Sequence, residues 1–300
     1  MKLLAAVVTH NRRDLLTRCL DHISSQHRQA DGLVVINNES TDGTVEMLLG
    51  RGVDFVTQPN LGSAGGWQRA IVYAQERGYD AVWLMDDDGF PDAGALMCLE
   101  THLKPGIACA SSIVVREDEA GRFVFPFPIM NSLGFPVLLR WPRKLNFVEE
   151  LSPLAKGGVY PFAHFFNGAL IALDAVARIG NVNSSYFMYG DEVDYFCRLR
   201  TVGGVISVLD AVHYHPDVSR RALTPSKVYY YIKNSIIIHN LYFDMAFTRN
   251  IMAIAAIIVR ITARNGFMST LSYVAGRNVR VFYLAIAKGF TGKIGADFRG

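Results

Sequence analysis

The sequence is short of charge, and its cysteines form no pattern. Charged residues are 19% of 300 positions and apolar residues 50%. An average globular chain carries roughly 25% charge, so this one is greasy for a soluble protein, and disorder is excluded. Cys19, Cys98, Cys109 and Cys197 lie far apart with no C-x-x-C pair. That spacing excludes a zinc knuckle and a disulfide framework and reads as free thiols of a reducing cytoplasm. No stretch approaches ~18 uninterrupted apolar residues, which excludes a polytopic membrane protein. The longest candidate, Ile251 to Val259, is cut by Arg260. The apolar start, Met1 to Val8, breaks at Thr9-His10-Asn11-Arg12-Arg13 without a small-residue cleavage site, so it reads as a buried strand and not a signal peptide. Internal repeats, low-complexity tracts, P-loops, H-E-x-x-H and G-x-S-x-G are all missing.

What is present is unevenly charged. The net charge is +3, but from Pro225 onward there are ten Lys/Arg and two Asp/Glu, a balance of +8 that leaves −5 on residues 1–224. An acidic body and a basic, aromatic tail region imply different jobs.

The first half alternates short apolar runs with helical patterns. Strands are expected at Leu3–Val8, Leu33–Ile36, Val53–Thr57 and Ala81–Met85, with helices at Arg13–Ser25, Thr44–Leu49 and Ala64–Arg77. Continuous apolar strands between helices predict an α/β, doubly wound, mostly parallel sheet covered on both faces. Ligands of such sheets sit at the carboxyl ends of the strands. Those ends carry Thr9-His10-Asn11, Asn37-Asn38, Gln58-Pro59-Asn60 and Asp86-Asp87-Asp88. Residues 116–165 are Pro- and aromatic-rich and are expected to form an irregular insertion. Order returns with Phe166–Leu173, a helix through Ile179, another after Gly190, and a strand at Val205–Leu209. From Ser226 the pattern is helical.

Three adjacent carboxylates at the end of a buried strand repel one another, and a divalent cation is the natural compensation. Hard oxygen ligands select Mg2+ or Mn2+. Alternation along extended backbone lets Asp86 and Asp88 face one ion while Asp87 points elsewhere. The bland reading is a solvated acidic turn. Gly190-Asp191-Glu192-Val193-Asp194 opens a helix; acids there oppose the helix dipole, or one of them is a general base. His213 and His215 follow the later strand and are metal-ligand candidates beside ordinary core histidines. Asn60-Leu61-Gly62-Ser63-Ala64-Gly65-Gly66 enters a helix whose N-terminus favours an anion.

In order, Val8–Arg12, Asn37–Thr44, Pro59–Gly66, Trp83–Pro91, Phe166–Leu170, Gly190–Asp194 and Tyr214-His215-Pro216 resemble the inverting nucleotide-sugar glycosyltransferases of family 2, which have the GT-A fold. The resemblance spans about residues 1–220 and is strongest to galactofuranosyltransferases of cell-surface galactan, with rhamnosyltransferases sharing much of it. It implies a GT-A catalytic domain over 1–224, with 1–115 binding the nucleotide-sugar and 116–224 the acceptor, and a helical region over 225–300. It implies that Thr9, Asn11, Asn37, Asn60, Gly65, Asp86 and Asp87 hold the nucleotide-sugar. The family has Asp where Asn37 stands, which bears on the base contact. Asp86, Asp88 and His215 would hold Mn2+ or Mg2+. Glu192, with Asp191 beside it, would be the base. Phe166-Asn167-Gly168 would floor the acceptor subsite.

The implied reaction moves galactofuranose from UDP-galactofuranose, or rhamnose from dTDP-rhamnose, onto a lipid-linked or polysaccharide acceptor. The implied location is cytoplasmic, peripheral on the inner face of the cell membrane. The basic helices read either as packed on the catalytic domain or on a second subunit, or as attached to an anionic membrane. Nucleic acid fits poorly, because the basic residues are interleaved with long apolar stretches. The competing classes are a non-catalytic nucleotide-sugar-binding scaffold and a nucleotidyltransferase. The second would carry a glycine-rich, Arg/Lys-bearing loop where Thr9-His10-Asn11 stands.

Overall fold

The apolar runs of the first half become strands buried on both faces. The computed structural model describes residues 1–138, 142–219 and 221–298. Residues 139–141, inside the expected insertion, and Arg299, one of the ten basic residues counted above, lie outside the described residues. The chain divides into two units. One comprises Met1–Val182 and Tyr195–Asp217; the other comprises Asn183–Asp194 and Val218–Gly300.

In chain order the first unit begins β1 (Leu3–Thr9), α1 (Arg13–Ser24), β2 (Gly32–Asn37), α2 (Thr44–Arg51), β3 (Asp54–Thr57), α3 (Gly62–Glu76) and β4 (Ala81–Asp86). It continues with β5 (Phe90–Pro91), α4 (Ala95–His102), β6 (Ile107–Arg116), β7 (Arg122–Pro128), β8 (Lys144–Phe147), α5 (Val148–Leu151) and β9 (Val159–Tyr160). Then follow β10 (Asn167–Ala172), α6 (Leu173–Ile179), α7 (Asp191–Leu199), within which the unit boundary falls, and β11 (Gly204–His215). The sheet runs β3-β2-β1-β4-β10-β6-β11-β5. The pairs β1–β2, β1–β4, β2–β3 and β6–β11 are parallel. Strand β10 enters antiparallel between β4 and β6.

Alternation explains the two-sided core. Leu4, Ala6 and Val8 join Val34 and Ile36 under α3, while Leu3, Ala5 and Val7 join Leu16, Leu20 and Leu96 on the other side. Helix α3 lies close to β1 because Gly66 has no side chain: a Cβ there meets Val8 Cγ1 at 2.4 Å.

Two expectations change. The span 116–165 contains β7, β8, β9 and α5, not only irregular chain. Its aromatics hide the strand period because they form a core of their own, with Phe127 packed against Tyr160, Phe162 and His164. The strand expected at Val205–Leu209 extends to His215, with a register shift between Val208 and Val212, so His213 and His215 lie within it.

The second unit holds α8 (Pro225–Tyr242), α9 (Ala246–Asn265), α10 (Phe267–Ala275) and α11 (Val279–Phe290). Thr224 caps α8 by accepting from the Lys227 amide. Lys233 on α8 is fully buried, and its ammonium is held 2.8 Å from both Asp297 Oδ1 and the Gly295 carbonyl. The Phe298 ring stacks on Tyr229 at 4.6 Å. Helix α9 runs through Arg260, where the sequence reading ended the apolar run. By length and composition it is long and apolar enough to cross a membrane, and only 22% of that stretch is buried.

Candidate active site

The carboxyl ends of β1, β2 and β4 gather polar side chains in the first unit. Thr9 is buried, and its hydroxyl donates to Asp87 Oδ2 at 2.7 Å. Asn37 is buried, donates to Thr57 Oγ1 and accepts from the Ser40 amide. Asn11, with φ of 53°, accepts from the Thr41 amide, and its own amide donates to Ser40 Oγ. Asn60 accepts from the Gly62 amide at the start of α3. Gly65 is buried, and a Cβ on it meets Leu61 Cβ at 2.4 Å. These residues shape one rim of loops whose polar groups are ordered by each other.

The acidic triplet departs from simple alternation. β4 ends at Asp86, and Asp87 and Asp88 form a turn, so extended geometry does not carry past Asp86. Both turn carboxylates meet one guanidinium: Arg12 Nη1 lies 2.9 Å from Asp87 Oδ1 and 3.0 Å from Asp88 Oδ2. Burial pushes the Asp87 carboxyl up, and Arg12 and the Thr9 hydroxyl pull against that rise. Arg12 is the residue that sequence reasoning left without a role; its place one step beyond the β1 turn was the available signal.

His215 Nε2 lies 3.0 Å from Asp88 Oδ1, and both are buried. His213 is also buried, but among the described residues neither of its ring nitrogens has a hydrogen-bond partner. Burial depresses its imidazole to about 3, so it is neutral. It packs against Gly89, where a Cβ meets its Nε2 at 2.3 Å. Among the described residues no group of three or more His, Cys, Asp or Glu side chains is preformed as a metal cluster. The donor set nevertheless suits a hard divalent cation: a carboxylate oxygen of Asp88 and the Nε2 of His215 lie side by side at the end of the acidic strand.

The Phe166 ring is buried and stacked on Trp67 at 4.6 Å and 7°, so it supports the sheet from the core. The Phe166 carbonyl accepts from the Asp86 amide at 2.7 Å, tying β10 to the acidic strand end. Asn167 is buried, and among the described residues its Oδ1 has no hydrogen-bond partner. Gly168, with φ of 88°, lies where a Cβ meets Ser112 Oγ at 2.7 Å.

Asp191 and Glu192 belong to the second unit, at the first turn of α7. Asp191 is buried, and burial raises its carboxyl to about 6, against its own and the Glu192 amides. Glu192 is open to solvent, yet enough protein surrounds it that desolvation, then the Asp191 charge, raises it to about 8. The preceding loop is held in a demanding shape: Phe187, Tyr189 and Gly190 have φ of 64°, 58° and 90°. Asn234 Nδ2, on α8, donates to the carbonyls of Tyr186, Met188 and Tyr189 at 3.2, 2.9 and 2.8 Å. Tyr242 OH donates to Asp194 Oδ1 at 2.6 Å. Sequence reasoning missed Asn234, because a polar residue among aromatics carries no sign of its distant partners.

Comparison with known proteins bears on this arrangement. The family model described as glycosyl transferase family 2 matches residues 5–152. Galactofuranosyltransferase GlfT1 of Mycolicibacterium smegmatis is 34% identical over 222 residues, 71% of this chain and 70% of that protein. GlfT1 of Mycobacterium tuberculosis is 34% identical over 224 residues, covering 71% and 69%. Among solved structures, mannosyltransferase PcManGT from Pyrobaculum calidifontis, in complex with GDP-Man and Mn2+, superposes with TM-score 0.53 at 14% identity, covering 97% of this chain and 84% of that one. GalNAc-T7 with UDP, GalNAc and Mn2+ superposes with TM-score 0.61 at 12% identity, covering 94% and 58%.

Proposed function

The chain belongs to glycosyl transferase family 2 and is a glycosyltransferase of the GT-A fold, and we propose that it is an inverting, metal-dependent galactofuranosyltransferase using UDP-galactofuranose. The observation that carries this reading is the 34% identity to two galactofuranosyltransferases over about 70% of either chain. In this reading residues 1–115 take the nucleotide-sugar, 116–224 the acceptor, and 225–300 bring the enzyme to the cytoplasmic face of a membrane carrying a lipid-linked glycan.

Asp86, Asp88 and His215 would hold Mn2+ or Mg2+, which when bound supplies positive charge against the departing diphosphate. Arg12, half-exposed, covers the Asp87 and Asp88 charges and is free at its solvent side to turn toward a donor phosphate. Asn11, Asn37, Asn60 and Gly65 shape the nucleotide-sugar rim, with Thr9 locking Asp87 beneath it. Asn167 and Gly168 line the acceptor side. Glu192 accepts the proton of the acceptor hydroxyl as that oxygen attacks the anomeric carbon. The bond from that carbon to the diphosphate breaks, and the nucleoside diphosphate leaves with the electron pair. Solvent access favours Glu192 over the buried Asp191 for this role, and a base of this kind is worth ~10²–10⁴ in rate.

The test is turnover with UDP-galactofuranose and dTDP-rhamnose on a glycolipid acceptor, with Mn2+ or with chelator. Galactofuranose transfer that chelator and Asp88→Ala abolish supports the reading. Transfer from dTDP-rhamnose alone overturns the donor, and turnover unaffected by chelator overturns the metal.

A further inference from the structure

Within the second unit the helices leave a strong amphiphilic surface. Phe247, Ile251 and Val259 are 71%, 53% and 66% exposed and follow at four- and eight-residue spacing along α9. Phe267, Met268, Leu271 and Val274 continue the exposed apolar surface on α10. Exposure of this extent marks an interaction site. Val259 also lines a groove of about 650 Å3 with Ser219, Arg260, Ala263 and Arg264.

The groove is cationic as well as greasy. The Arg260 guanidinium lies 5.0 Å from the centre of the Tyr231 ring, and Arg264 Nη1 donates weakly to the Arg221 carbonyl at 3.4 Å. Among the described residues neither arginine has an acidic ion-pair partner. The groove also neighbours the proposed base. Tyr231 meets Tyr189 edge-on at 6.0 Å, and the Tyr189 hydroxyl feels the charges of Arg264, Arg260 and Glu192.

Charge decides the occupant. Residues 245–298 hold seven Lys/Arg and one Asp/Glu, so a second copy of this face would set like charges against each other. An amphiphile with a phosphate head and a hydrocarbon tail answers both halves at once. Resting on the glycosyltransferase reading, we propose that Arg260 and Arg264 seat the headgroup phosphate of the lipid-borne acceptor. Its hydrocarbon lies along Val259 and the exposed face of α9, and its sugar is delivered toward Glu192.

The experiment is flotation of the full chain with vesicles of phosphatidylcholine, with and without phosphatidic acid as the phosphate-headed probe. Wild type is expected to float with the doped vesicles, and R260Q/R264Q to bind them about 30-fold more weakly, from two cations at a membrane surface. R260K/R264K, which keeps the charge, is expected to restore most of the binding. R277Q/R280Q removes the same charge elsewhere on the unit and is expected to lose far less. Equal loss in the two glutamine variants, or no flotation by wild type, overturns the groove. Stabilisation by inorganic pyrophosphate equal to that by doped vesicles overturns the hydrocarbon half. The two readings fail separately. Donor hydrolysis by wild type without groove-dependent binding leaves the enzyme and removes the groove; groove-dependent binding with no donor turnover does the reverse.

Discussion

Replacing Asn234 probes how the loop before α7 is held. Its side chain has no exposed surface, and its amide faces three carbonyls. An amide has two hydrogens, so one is shared. Asn234→Ala removes two hydrogen bonds' worth of donation and strands buried carbonyls, each bond worth about 1 kcal/mol net and each orphaned group about 1–3 kcal/mol. A loss of about 3 kcal/mol is expected, because the positive-φ loop can relax toward solvent and recover part of the sum. Asn234→Asp is the sharper variant: it has the same shape, no N–H, and an oxygen turned on three carbonyl oxygens. It is expected to be less stable than Asn234→Ala. Urea denaturation followed by helical circular dichroism reads both. In turnover, Asn234→Ala is expected to lower kcat far more than it raises the donor KM, because the loop presents Glu192 and not the donor rim. An Asn234→Asp chain within about 1 kcal/mol of wild type would refute the reasoning, since no amide donor would then be needed.

Other expectations are simpler. Glu192→Gln removes the base and should cost ~10²–10⁴ in kcat. With the carboxyl raised to about 8, wild-type kcat/KM should fall as pH drops below 8, a limb that the glutamine variant lacks. Gly66→Ala drives a Cβ to 2.4 Å from Val8 Cγ1, and thermal melts should show a loss of about 1–3 kcal/mol from overpacking. Arg12→Gln leaves Asp87 and Asp88 without their shared cation. The folded-state pKa of Asp87, already raised, rises further, so the variant should be less stable than wild type at neutral pH. The gap should close as acid protonates the carboxyls, read by melts across pH.

Much of the parallel half was legible because burial on both faces leaves unbroken apolar runs, as in β1 and β4. The acidic triplet was legible because charge at the end of such a run demands compensation. Its geometry was not, since the turn at Asp87 depends on Gly89 fitting against His213, a contact across 124 residues. Strands β7 to β9 were hidden by prolines and aromatics that pack locally. The grouping of Asn183–Asp194 with the C-terminal helices was invisible, because Asn234 recognises backbone carbonyls and any sequence supplies those.

The antiparallel entry of β10 has a consequence for synthesis. Its partner β4 is complete at Asp86, yet the chain must add the 80 residues from Asp87 to Phe166 before β10 begins. At ~5–20 residues per second, the β4 edge waits about 4–16 s on the ribosome. During that time Trp83 and Leu84, which later pair with Leu170 and Ala169, sit on an apolar edge open to any other strand. Nascent chains slowed in that interval are the ones that should need chaperones.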